Sequence, residues 1–98
     1  SANATPIPPT RFAAALTSLS LSSLYAKVSE LRNSITHLET SNAELEAYVR
    51  AEADKDCYEA LIENRDVIAR MRERIELVRK EVTEVRALPW MPEDEQGE

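Results

Sequence analysis

The residues able to do chemistry are few and scattered. His37 is the only histidine; it has no second imidazole to complete a metal site, and it stands two positions beyond Ile35 on an exposed helical face. It reads as an ordinary surface histidine. Cys57, the only cysteine, lies in an apolar seam without a catalytic companion, so it reads as a small apolar filler that could still oxidise between chains. The carboxylates Glu52, Asp54, Asp56 and Glu59 could attract a divalent cation, but they do not follow calcium-loop spacing and no glycine turns the chain among them. They read as a solvated connection that interrupts helix, with Asp54 or Asp56 free to cap a helix beginning just beyond. Gly97 is the only glycine, which excludes a glycine-rich phosphate cradle. No catalytic, cofactor or metal constellation is expected, and the chain reads as a non-enzyme.

Binding is the chemistry that remains. Arg65, Arg70, Arg72, Arg74, Arg79 and Lys80 form the most basic section, interleaved with Glu63, Asp66, Glu73, Glu76 and Glu81. Ordinary ion pairing along a helix surface is the first reading, an acidic protein partner the second, and nucleic acid a distant third. The net charge of −6 opposes nucleic acid further. Tyr25, Tyr48, Tyr58 and Trp90 are most simply packing residues, with an interface as the alternative. Candidate partner contacts are therefore Tyr25, Tyr48, Tyr58 and Ile62, with the Arg65, Arg70 and Arg72 section beside them.

These residues must be positioned by helices. Leu21, Val28, Ile35, Asn42 and Val49 recur at heptad spacing, and Leu24, Leu31, Leu38 and Leu45 fill the alternate step, giving one near-unbroken aliphatic seam. A second seam runs from Cys57 to about Leu88, with Leu61, Ile68, Ile75 and Val82 at one set of positions. Cys57, Asn64, Met71, Val78 and Val85 occupy the other. The polar stretch Ala51 to Asp56 separates the two. A single helix straight through it is the competing reading, but successive four-residue steps would carry the apolar stripe around the helix.

Folding the chain about residue 53 removes the conflict. It sets Leu45 near Leu61, Leu38 near Ile68, Val28 near Val78 and Leu24 near Val82, and it brings the two seam asparagines, Asn42 and Asn64, together. Facing amides satisfy part of each other's hydrogen-bonding capacity, whereas a slip by one heptad sets each against an aliphatic chain, so the pair is assigned as register-setting. The expected fold is all-α: an antiparallel helical hairpin of coiled-coil type with a short N-terminal helix. The expected spans are a short helix at about 10–17, a long one at about 21–50, a turn at about 51–56 and a second long helix at about 57–88.

Ser20 is the expected N-cap of the long helix, with Ser22 as the alternative. Leu88-Pro89 should end the second one, because proline lacks the N–H that would continue the ladder. Phe12, Leu16 and Leu19 then meet Trp90 and Met91 at the open end. Residues 1–9, beginning with Ser1-Ala2-Asn3 as an expression scar, read as a disordered arm, and 91–98 as an acidic tail. No stretch resembles a signal peptide or is apolar enough to cross a bilayer. One cysteine cannot close an internal disulfide, which points to a reducing intracellular compartment. A single seam buries little for 98 residues, so the off-seam residues Ile62, Val67, Leu77, Tyr25, Tyr48 and Tyr58 are expected to form a second contact surface. A second copy, completing a helical bundle, is the first candidate to cover it and a partner's helix the second.

Asn33-Ser34-Ile35-Thr36-His37-Leu38 followed by Ser41-Asn42-Ala43-Glu44-Leu45 resembles the signature of the fungal ATPase-dedicated assembly chaperone of the proteasome regulatory particle, of the translation-machinery-associated family. Phe12, Leu16 and Leu24 fit the same pattern upstream, and Glu63-Asn64, Val67 and Glu73-Arg74 resume it, so the likeness covers about residues 12 to 82. The family carries a longer acidic insertion where this chain has only Ala51 to Asp56, which supports a turn there. The resemblance implies a non-catalytic chaperone that engages the amino-terminal region of the sixth regulatory-particle ATPase subunit and favours its pairing with a neighbour. It also implies a setting in the cytoplasm and nucleus, a stress response and an association with ribosomes. A structural coiled-coil subunit of a larger complex is the alternative reading.

Overall fold

The computed structural model describes residues 7–92, in which three α-helices and one π-helical turn are joined by short links and no strand is present. The helices are α1 (Pro9–Leu16), α2 (Leu21–Glu52) and α3 (Lys55–Lys80), and the π-turn is Glu81–Val85. The chain is all-α and divides into two compact units, residues 30–73 and residues 7–29 with 74–92. The expected scar and acidic tail fall, at residues 1–6 and 93–98, outside the described residues.

The 30–73 unit is a helical hairpin whose link is shorter than the sequence pattern implies. Helix α2 continues to Glu52, and Ala53 then takes a left-handed conformation at φ 53° while its N–H bonds the Val49 carbonyl at 2.8 Å. Asp54 follows at once as N-cap of α3, its Oδ1 accepting the Cys57 N–H at 2.8 Å and its carbonyl the Tyr58 N–H at 3.0 Å. A left-handed stop and a side-chain cap placed back to back reverse the chain without a loop. Leu31, Ile35, Leu61 and Ile68 are buried between the two arms of the hairpin. Asn64 Nδ2 donates to Asn42 Oδ1 at 2.9 Å, in the register centred on residue 53.

The other unit is built around one cluster of Phe12, Leu16, Leu24, Val28, Val78 and Val82, with Leu21, Ile75, Leu77 and Trp90 packed against it. Pro9 starts α1 at a position where the missing N–H is no loss. The helix ends in a run of hydroxyls: Thr17 Oγ1 bonds the Ala14 carbonyl at 2.8 Å and Ser18 Oγ the Ala15 carbonyl at 3.3 Å. Ser20 caps α2, its hydroxyl accepting the Ser23 N–H at 3.1 Å. Met91 and Pro92, expected to open the tail, belong to the folded unit, for the Met91 N–H bonds the Tyr25 hydroxyl and Pro92 is fully buried.

The seam pattern fails at the end of α3. Regular α-helix stops at Lys80 rather than near Leu88, and the last turn widens so that the Arg86 N–H reaches the Glu81 carbonyl at 3.0 Å, five residues back. Thr83 Oγ1 takes the Arg79 carbonyl at 3.0 Å, a side-chain insertion that helps open the ladder. Ala87, left-handed at φ 56°, closes the turn, and the Leu88 N–H bonds back to the Val82 carbonyl at 2.9 Å. The extra residue rotates Val85 off the seam, leaving it 67% exposed.

What the widened turn achieves is an ion pair. Residues five apart on an α-helix point about 140° away from each other, but here Arg86 Nε meets Glu81 Oε2 at 2.8 Å, with the Glu81 side chain only 5% exposed. The Arg86 Nη2 also donates to the carbonyls of Leu16 at 3.0 Å and Leu19 at 2.7 Å. A cation thus adds a donor to the Leu16 carbonyl at the negative pole of α1 and to the Leu19 carbonyl just beyond it, while its own charge is balanced by a buried carboxylate.

Replacing Arg86 with Met should therefore cost about 3 kcal/mol, since it strands the Glu81 charge and removes a donor from the Leu16 and Leu19 carbonyls, measured by urea denaturation. Ala53→Gly and Ala87→Gly should each raise stability by about 0.5–1 kcal/mol, because left-handed backbone strains alanine but not glycine. A loss of stability in either glycine variant contradicts the turn geometry.

Candidate functional site

In the 30–73 unit, two ion pairs bridge α2 and α3 on one face of the hairpin. Arg65 Nη2 lies 2.7 Å from Glu46 Oε2 and Arg72 Nη2 lies 2.6 Å from Glu39 Oε2. The bridges are one heptad apart, about 10 Å along the helices, and they form the end walls of an open groove of about 400 Å³. Its side walls are the small residues Ala43 and Ala69, and Asn42 and Ile68 line it between them. Both bridges are half-exposed, so each adds little stability and their main effect is to set the charge pattern along the groove.

Tyr58 and Ile62 continue the α3 wall toward the turn, since positions 58, 62, 65, 69 and 72 follow the three- and four-residue steps of one helical face. They are 52% and 39% exposed, a large apolar offering for so small a unit. Of the residues expected to contact a partner, this face thus gathers Tyr58, Ile62, Arg65 and Arg72. Tyr48 is exposed on the opposite side of the α2 seam, and Arg70 is exposed off the groove with no ion pair among the described residues.

Tyr25 belongs to the other unit and is engaged there. Its ring lies 5.6 Å from that of Trp90, and its hydroxyl donates to the Pro89 carbonyl at 3.2 Å while accepting the Met91 N–H at 3.1 Å. Arg74 is similarly occupied, its guanidinium 5.3 Å from the centre of the Phe12 ring. Arg79 pairs in two-pronged fashion with Glu76, a bond that lowers the Glu76 carboxyl below its ordinary range and raises the Arg79 guanidinium. Leu77, one of the off-seam residues expected on a second surface, packs into the core of this unit.

Sequence reasoning missed Ala43, Ala69, Glu39 and Glu46 as the lining of the groove. The signal was present once register was set, as alanines alternating with charges that are acidic on α2 and basic on α3. His37 is exposed, and among the described residues no group of acids, histidines or cysteines is arranged to hold a metal. No described helix is long and apolar enough to cross a membrane. Partial burial, then the neighbouring Asp54 carboxylate, pushes the Cys57 thiol up from its ordinary value.

The thiolate fraction is consequently smaller than that of a free thiol, and iodoacetamide should alkylate Cys57 more slowly than a free cysteine peptide. A rate equal to the peptide's would refute the raised pKa. Asn42→Leu or Asn64→Leu alone should cost about 1–2 kcal/mol by leaving one amide against an aliphatic chain, while the double variant should recover most of the loss. A double-mutant cycle with no coupling would remove the amide pair as a register device.

No curated protein and no solved structure matches the chain. A family model described as the TMA17 helical domain matches residues 8–90, a span that holds the three helices, the π-turn and Trp90. The TMA17 family is one of proteasome ATPase assembly chaperones. With its whole helical region matched, the chain belongs to the TMA17 helical-domain family.

Proposed function

We propose that this protein is a non-catalytic assembly chaperone that binds a helix in the amino-terminal region of a proteasomal AAA ATPase subunit. The subunit is the sixth of the regulatory particle, and binding favours its pairing with a neighbour as the base is assembled. The observation that carries the reading is the exposed pair Tyr58 and Ile62 on the face of a hairpin, in a chain that belongs to this family. An amphipathic helix laid against such a face gains affinity from the apolar anchors and orientation from the flanking charges. Arg65, one helical step beyond Ile62 on the same face of α3, supplies such a charge. The proposed setting is the cytoplasm and nucleus, with induction under stress and an association with ribosomes close to newly made subunits.

Transient binding is a consequence of the same features. A small apolar patch with half-exposed charges gives moderate affinity and fast release, as a factor absent from the finished particle requires.

Capture from a cell extract tests the class of function. Proteasomal ATPases recovered without the mature particle are the expected result; a stable stoichiometric set of other proteins would instead identify a structural coiled-coil subunit. Tyr58→Ser with Ile62→Ser should weaken binding to the isolated amino-terminal segment of the ATPase at least about tenfold, with circular dichroism unchanged. Unaltered binding would move the client elsewhere on the protein.

A further inference from the structure

The two bridges that bound the groove have the same polarity. Glu39 and Glu46 stand on α2, Arg72 and Arg65 on α3, and the small residues Ala43 and Ala69 stand between them with Asn42 and Ile68. We infer that this face is the contact surface for a second copy of this chain, related to the first by a two-fold axis running along the helices above the groove. This goes beyond the chaperone reading and does not depend on it.

The argument is one of charge and symmetry. A two-fold axis parallel to the helices sets α2 of each copy over α3 of the other at the same level. Glu46 then falls over Arg65 of the second copy and Glu39 over its Arg72, so each existing bridge becomes half of a ring of four alternating charges. A guanidinium with five donors can serve a carboxylate on each side. Between the rings, Ala43 meets Ala69 of the second copy, and side chains this small let the helix pairs approach to about 8 Å, the near end of the usual interaxial range. The other in-plane two-fold axis, across the helices, sets acid on acid and base on base. One arrangement is thus selected and its rival is opposed by repulsion, with no residue required from any other protein. Tyr58 and Ile62 continue this face on the turn side of the Glu46–Arg65 bridge, at the level of the end of the second copy's α2, so the second copy and a client compete for them.

Sedimentation equilibrium on the full chain, from micromolar to millimolar, should show a reversible monomer–dimer equilibrium; a monomer throughout overturns the inference. A fourfold exchange, Glu39→Arg and Glu46→Arg with Arg65→Glu and Arg72→Glu, keeps every pair within the chain and should dimerise with itself. Mixed with wild type and read by native mass spectrometry, it should sort into the two homodimers, because a mixed pair places like charges together. Random mixing would overturn the proposed symmetry. Ala43→Trp with Ala69→Trp, at two exposed positions, keeps a readout if the exchange variant does not fold. It should shift the dimerisation midpoint upward at least about tenfold with unchanged circular dichroism, and an unmoved midpoint would place the contact on another face. None of these measurements involves an ATPase, so dimerisation and client binding succeed or fail separately.

Discussion

The amide pair between Asn42 and Asn64 is the constraint on which the hairpin unit depends. Aliphatic seams tolerate slippage, because leucine against valine differs little from leucine against isoleucine. A carboxamide held opposite an aliphatic chain does not, and for a part-buried amide losing its partner costs more than the bond contributes when made. Once the two amides face one another, the reversal point is set at Ala53, and the chain accepts a left-handed alanine there rather than lose the match. The turn chemistry agrees with this register, since Asp54 is placed to cap α3 one residue later.

The unit formed by residues 7–29 and 74–92 solves a different problem. Its apolar cluster has helix ends around it, and helix ends carry unsatisfied backbone groups that must find partners. Hydroxyls of Thr17, Ser18 and Ser20 take some, and Arg86 bonds the Leu16 and Leu19 carbonyls. The part-buried guanidinium finds its counter-charge in the buried Glu81, which it reaches because the helix widens to a π-turn between them. The irregularity is therefore tied to a specific electrostatic requirement. Tyr25, Pro89, Trp90 and Met91 close the same unit through one hydroxyl that both donates and accepts.

Exposed large apolar residues occur in both units: Ile7, Leu19, Val85, Leu88 and Met91 lie in the 7–29 and 74–92 unit, and Tyr48, Tyr58 and Ile62 on the hairpin, where Tyr58 and Ile62 stand beside a groove with ordered charge. An exposed apolar pair costs solubility, so its retention fits a binding role better than a purely structural one. Membership of the TMA17 helical-domain family gives that role its context.

How much of this was legible without coordinates depends on the kind of interaction. Heptad spacing, two asparagines equidistant from residue 53 and the capping residues Ser20 and Asp54 determined the helices, their antiparallel register and the meeting of Phe12 and Leu16 with the Leu24 and Val82 end, because periodicity and capping are local properties of sequence. The π-turn, the displacement of Val85 and the bond from Arg86 to the end of α1 were decided by tertiary structure alone. So was the division of the off-seam tyrosines between core and surface: Tyr25 and Tyr58 look alike in sequence, and only the arrival of Trp90 distinguishes them. The groove lay between these extremes, its alanines and charges readable once two distant segments were aligned, since a surface shared by two helices belongs to neither sequence by itself.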